Sequence, residues 1–115
     1  MSSATLSRSD LPTVVVNYLD VHVVRDADRA IPLFLSDATV TDEGSTRTGT
    51  DAIRDWIESA ASEYTYSTTE TGYDMPEPDH VQVFARFEGT FPGGVADVVY
   101  DFRLRDGKIA SLVID

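Results

Sequence analysis

Helix-period segments followed by alternating ones predict an α+β fold, with three N-terminal helices on one face of a curved, mainly antiparallel sheet. Three observations carry this. Apolar residues recur at helical spacing as far as Ala60, the period changes to two from Tyr64 onward, and Asp106-Gly107 divides the last alternating stretch as a tight hairpin does. The 115 residues are enough for one domain, 1–115, with a single core and no staples.

The first helix is expected to be capped by Ser9 or Asp10 and to take Pro12 in its early turn. Leu11, Val14, Val15, Tyr18, Leu19 and His22 form its buried stripe, which fades near Arg25. "DADRAIPLFL" begins a second, short helix that tolerates Pro32 only in its first turn. "DATVTDEG" then reads as a strand: Thr39, Val40 and Thr41 suit a pleated surface, whereas Asp42 and Glu43 end it. Gly44 to Gly49 are expected to loop, and Thr50 to cap a third helix with Ile53, Trp56, Ile57 and Ala60 inward.

Beyond it, "YTYSTTETGY" is a Thr-rich strand, and "DMPEPD", with Pro76 and Pro78, is expected to break regular structure. The next strand should turn Val81, Val83, Ala85, Phe87 and Phe91 to one face. After the turn "PGG", "VADVVYDFRLR" should do the same with Ala96, Val98, Tyr100, Phe102 and Leu104, leaving Asp97, Asp101, Arg103 and Arg105 outside with Val95 and Val99. "KIASLVID" closes the sheet. Apolar Val95 and Val99 on an outer face predict a homodimer.

Nine basic against 20 acidic residues leave a net charge of −11, which disfavours nucleic acid and anionic lipid as partners. The absence of cysteine excludes disulfides, thiol nucleophiles and thiolate metal sites. No apolar run reaches membrane-spanning length, and "MSSATLSRSD" lacks the apolar middle of a signal peptide, so a cytoplasmic protein is expected. "GSTRTGT" lacks the lysine of a phosphate loop. His22 and His80 are too far apart, with no ligand-spaced acids, to suggest a metal site. His80 is expected at a loop edge. Any chemistry should then be acid–base work without a cofactor.

A single layer of helices on a curved sheet leaves a hollow suited to a small apolar ligand. Asp42, where its strand stops, is either a solvated turn acid or a base carried to the mouth of that hollow; Glu43 is the solvated one. Tyr18 and His22 lie one turn apart on the same helix face, where His22 could bond the phenol. Phe34, Trp56, Phe87 and Phe102 are core or pocket-wall aromatics.

The segment "VVVNYLDVHVVRDADRAIPLFLSDATVTDEGSTRTGTDAIRDWI" and the closing "YDFRLRDGKIASLVI" resemble the ketosteroid isomerase and SnoaL-like polyketide cyclase group. That group lies within the nuclear transport factor 2 (NTF2-like) superfamily. The resemblance rests on a tyrosine in the first helix, an "LF" followed by "DATV" and an acid, and "GTDAIRDW" opening the third helix. It implies the cone-shaped NTF2-like fold and a cofactor-free isomerase or cyclase acting on an apolar carbonyl compound. Tyr18 falls at the family's oxyanion tyrosine and Asp42 at its proton-transferring carboxylate. The second oxyanion donor, a protonated aspartate in ketosteroid isomerases, falls at Tyr100, or at Asp101 if the strand register slips by one. His22, Phe34, Trp56, Phe87 and Phe102 would line the ligand. The alternative is a non-catalytic binder or dimeric module of the same fold. A third is an epoxide hydrolase using Asp97 with Arg103 or Arg86, which the outward alternation of Asp97 and Arg103 disfavours.

Overall fold

Ser7, rather than Ser9 or Asp10, is the first capping residue seen. Its backbone N–H donates to Asp10 Oδ2 at 2.8 Å and its hydroxyl to the same oxygen at 3.1 Å. This commits Asp10 to a 3-10 turn, Arg8–Asp10, one turn short of the helix. The computed structural model in which this is seen describes residues 6–24, 26–42, 44–60, 66–90 and 92–115; the expectations for Arg25, Glu43, Tyr64, Phe91 and the Ala60 side chain lie outside the described residues. Helix α1 is Thr13–Val24, and the Pro12 carbonyl accepts from the N–H groups of Val15 and Val16. Val15, Tyr18, Leu19, Val21 and His22 are its buried face.

Helix α2, Ala27–Ala30, is capped by Asp26, whose carboxylate accepts from the Arg29 N–H at 3.2 Å. One 3-10 turn, Ile31–Leu33, holds Pro32 and ends the helical stretch. Strand β1 therefore starts earlier than expected, at Phe34, and runs to Asp42. Gly44 to Gly49 do not loop. Ser45–Thr48 forms strand β2, antiparallel to β1 from Thr39↔Thr48 to Asp42↔Ser45, with the Thr41 and Thr46 hydroxyls 2.9 Å apart. Gly44, at φ 77, supplies a left-handed turn conformation unfavourable to side chains. Helix α3, Thr50–Ala60, opens on Thr50 itself: the carbonyl of Gly49, the residue before, accepts from the Ile53 N–H.

Strand β3, Tyr66–Glu77, passes through the predicted breaker. The sheet order β2-β1-β6-β5-β4-β3 explains this, because β3 is an edge strand, and an edge tolerates a proline whose missing N–H faces no neighbour. The pairing of β3 with β4 shifts register between Asp74 and Glu77, around that proline. Strand β4, His80–Gly89, begins on His80, so this residue belongs to the sheet rather than to a loop. Strands β5, Val95–Arg105, and β6, Lys108–Ile114, meet at Asp106-Gly107, whose φ values of 54 and 75 are those of a primed hairpin turn.

The sheet is mixed: β1 runs parallel to β6 and the other pairs are antiparallel. Its inner face carries Ala38 and Val40, Leu112 and Ile114, Tyr100 and Phe102, and Val81, Val83 and Ala85, all buried. The helices close over this face, with the Tyr18 ring edge-on to Phe34 at 5.5 Å and to Phe102 at 5.7 Å. The register across β5 is thereby settled: Tyr100 is inside and Asp101 outside. No described helix is long and apolar enough to cross a membrane.

Phe102 is fully buried between the helix layer and the sheet. Phe102→Ala is expected to cost about 3–5 kcal/mol in chemical denaturation. A loss under about 1 kcal/mol would show that the two layers do not depend on it.

Candidate functional site

Two residues of α1, one helical turn apart, begin the site. The Tyr18 hydroxyl lies 2.9 Å from His22 Nδ1, within a helix face that is buried throughout. From the sheet, Tyr100 brings its hydroxyl 3.3 Å from His22 Nε2. The two phenols thus meet on opposite nitrogens of one imidazole. His22 is also in ring contact with Trp56, centroids 6.2 Å apart. Trp56, held inward by the amphipathic face of α3, donates its indole N–H to Asp42 Oδ2 at 3.0 Å.

Asp42 is half-buried on the inner face rather than a turn acid in bulk water. Its neighbour across the parallel pairing is Ile114, and Ile114 in turn pairs with Tyr100. Asp42, Ile114 and Tyr100 therefore form one row across three strands. At ordinary strand spacing this sets the backbones of carboxylate and phenol roughly 10 Å apart over an apolar floor. Among the described residues, Asp42 Oδ1 accepts no hydrogen bond.

The remaining candidates divide. Phe87 is half-buried, with its ring 6.1 Å from that of Tyr100, and flanks the site. Phe34 and Phe102 pack behind Tyr18 as fully enclosed core. The sequence reading overlooked Ile114 and the Trp56–Asp42 bond. Helical period placed Trp56 inward, but nothing local to either residue points to the other. Of the described residues, no three or more His, Cys, Asp or Glu form a group able to hold a metal ion.

Asp101, the inward alternative to Tyr100, occupies a polar group on the outer face. His80 Nε2 lies 3.0 Å from its Oδ1, and Gln82 Nε2 donates to its Oδ2 at 3.1 Å. Burial pushes its pKa up, but the bonds from His80 and Gln82, with the charges of His80 and Arg103, outweigh this and leave it below the usual carboxylate value. Asp97 pairs with Arg86 at 2.9 Å, exposed on the same outer face, so the acid and base of the epoxide-opening alternative stand away from the interior. At the edge of the inner face, Tyr73 donates to Glu70 Oε1 at 2.6 Å, and Arg8 bonds the same oxygen at 3.1 Å. Burial first, then Glu70, pushes the Tyr73 phenol up to about 12.

Residues 15–112 match the SnoaL-like domain model. The chain belongs to the SnoaL-like domain family. Among solved structures it is similar to a protein from Sinorhizobium meliloti provisionally named a polyketide cyclase, at 33% identity over 96% of this chain and 100% of the other, with a TM-score of 0.89. A Catenulispora acidiphila protein with a ketosteroid isomerase-like fold, solved with trimethylamine, shares 23% identity over 91% of this chain and 85% of its own, at TM-score 0.76. A computationally designed 17-OHP binder shares the fold at 16% identity, covering 88% and 86% of the two chains, at TM-score 0.71. No curated protein matches the chain. The NTF2-like fold expected of this SnoaL-like domain is the one observed.

Asp101 gives this SnoaL-like domain a defined acid response. Its folded pKa lies below its unfolded value, so the stability it contributes is full above the ordinary aspartate pKa and is lost as pH falls through the lower folded value. Denaturant midpoints of wild type and Asp101→Asn should differ at pH 6, and the difference should shrink below pH of about 4. A gap that stays constant down to acid would refute the assignment.

Proposed function

We propose that this SnoaL-like protein binds a small apolar carbonyl compound on the inner face of its sheet and moves a proton beside the carbonyl without a cofactor. The row Asp42–Ile114–Tyr100 carries this reading. Proton abstraction next to a carbonyl needs a base at the carbon and a donor at the oxygen where charge develops. Asp42 is the base, and the indole of Trp56 fixes its carboxylate so that Oδ1 addresses the ligand. A phenol of the Tyr18–His22–Tyr100 group is the donor. A phenol offers an O–H donor, so it serves where a carboxylic acid would first have to be kept protonated. Ile114, with Phe87 at the side, supports the apolar body between them.

The test needs no knowledge of the natural substrate. In D2O, an apolar cyclic ketone such as 2-tetralone should exchange its α-protons faster with the protein than with buffer, followed by NMR. Asp42→Asn should slow this by about 10²-fold or more. Exchange no faster than buffer in the wild type, together with ketone-dependent quenching of Trp56 fluorescence, would instead support a non-catalytic binder. Equal exchange in Asp42→Asn and wild type would remove the base.

A second proposal concerns assembly. The outer face presents Phe84 paired with Val99, together with Val95 and Val113, and Phe84, Val95 and Val113 are exposed. Apolar side chains on a sheet face favour a covering partner, and a second copy is proposed. Sedimentation should give a dimer at micromolar concentration that Phe84→Glu converts to monomer. A monomeric wild type overturns this.

A further inference from the structure

Glu70, on the edge strand β3, faces the same inner side of the sheet as Asp42 and is held in the same manner, by one oxygen. Asp42 takes the indole N–H of Trp56 on Oδ2. Glu70 takes both the Tyr73 hydroxyl, at 2.6 Å, and Arg8 Nε, at 3.1 Å, on Oε1. Glu70 faces inward because it pairs with the buried Ala85, and Tyr73 because it pairs with the buried Val83. Residues three apart on a regular strand face opposite ways. The register shift between Glu70 and Gly72 inserts one extra residue, and this bulge turns both side chains inward.

The converging bonds fix the carboxylate but occupy only half of it. Arg8 reaches it from the N-terminal turn and is itself anchored to α1 by Asp20 at 2.7 Å. Burial, and then Glu70, push the Tyr73 phenol up to about 12, so Tyr73 stays the donor of its bond. A carboxylate accepts on both oxygens, yet among the described residues Oε2 of Glu70 receives no hydrogen bond. The floor beside it is open. Val98, the partner of Ala85, is half-buried, and so is Phe87, two residues along β4 from Ala85. Strand β5 lies midway between the two acids, two strands from each, so at ordinary spacing each backbone stands roughly 10 Å from it.

We propose that Glu70 Oε2 is a second polar contact of the ligand site, accepting a hydrogen bond from a hydroxyl on the end of the ligand remote from its carbonyl. This rests on the carbonyl-binding reading above and narrows its substrate class to hydroxylated apolar carbonyl compounds. The compound lies across β5, with its carbonyl end toward Asp42, its hydroxyl toward Glu70 and its body on Val98 and Phe87. The Arg8 guanidinium on Oε1 disfavours a cationic donor, so a neutral hydroxyl is the fit. Tyr73 and Arg8 are positioning residues: by sharing Oε1 they set the direction in which Oε2 points.

The test compares ligands that differ only in the hydroxyl, followed by quenching of Trp56 fluorescence. The wild type should bind 6-hydroxy-2-tetralone about tenfold or more tightly than 2-tetralone. Glu70→Ala should reduce that preference to about twofold or less, and Glu70→Gln, which keeps the shape without the charge, should reduce it as well. Tyr73→Phe should also lower the preference, whereas a purely structural loss would weaken both ketones equally. Equal binding of the two ketones by the wild type, or a preference that survives Glu70→Ala, overturns the assignment. Tetrahydro-2-naphthol and tetralin, which have no carbonyl, separate the two readings. If the naphthol is preferred in a Glu70-dependent way while 2-tetralone neither binds nor exchanges its protons, the Glu70 contact stands and the carbonyl function fails. If neither hydroxylated compound binds, the Glu70 contact is overturned.

Discussion

The pairing of β6 with two partners of opposite direction is the constraint on which the site depends. It runs parallel to β1 and antiparallel to β5, and so carries register from the first half of the chain to the last. Through it Asp42, which ends a strand following two short helical segments, falls into one row with Tyr100, 58 positions later in the sequence (100 − 42). A slip of one residue on either side of β6 would turn one of the two outward. The alternation at the end of β6, with Leu112 and Ile114 buried on either side of the exposed Val113, resists such a slip because it would expose both.

Over this row the helices bring polar groups into a core that is otherwise apolar. Tyr18 and His22 are buried, and so is Tyr100, which makes their mutual bonds obligatory rather than decorative. An unsatisfied hydroxyl or imidazole in such a place costs about 1–3 kcal/mol, so the group holds together as a unit or is lost as one. Among the described residues, no buried side-chain nitrogen or oxygen lacks a partner. The acidic excess is arranged differently. Exposed pairs such as Arg54–Asp28 and Arg105–Asp37 contribute little to stability, and among the described residues the candidate site is built from phenol, imidazole, indole and the half-buried Asp42 carboxylate.

Much of the fold was legible in local pattern. The helical stripe of α1 put Tyr18 and His22 on one face, the alternation of β5 put Tyr100 inward and Asp101 outward, and Asp106-Gly107 marked the last hairpin. Two of the differences share one physical cause, the order of strands in the sheet. Pro76 breaks an interior strand but not an edge strand, and edge position is set by the whole sheet order. Ser45–Thr48 reads as loop by its polarity, and becomes a strand because β1 offers it an unpaired edge. Asp10 could cap α1, but Ser7 binds it first.

The sequence by itself determined which residues face inward, since burial follows periodicity, and periodicity is a property of neighbours in the chain. It thereby nominated Tyr18, His22, Trp56 and Tyr100, whereas Asp42 stood open between a turn acid and a base until the family resemblance put it at the proton-transferring carboxylate. Only the tertiary structure decided which of them touch. Trp56 meets Asp42, and His22 stands between the two phenols, because strand register and helix placement bring together residues with no spacing in common. Hydrogen bonds act over about 3 Å, and a one-residue change of register moves a side chain farther than that.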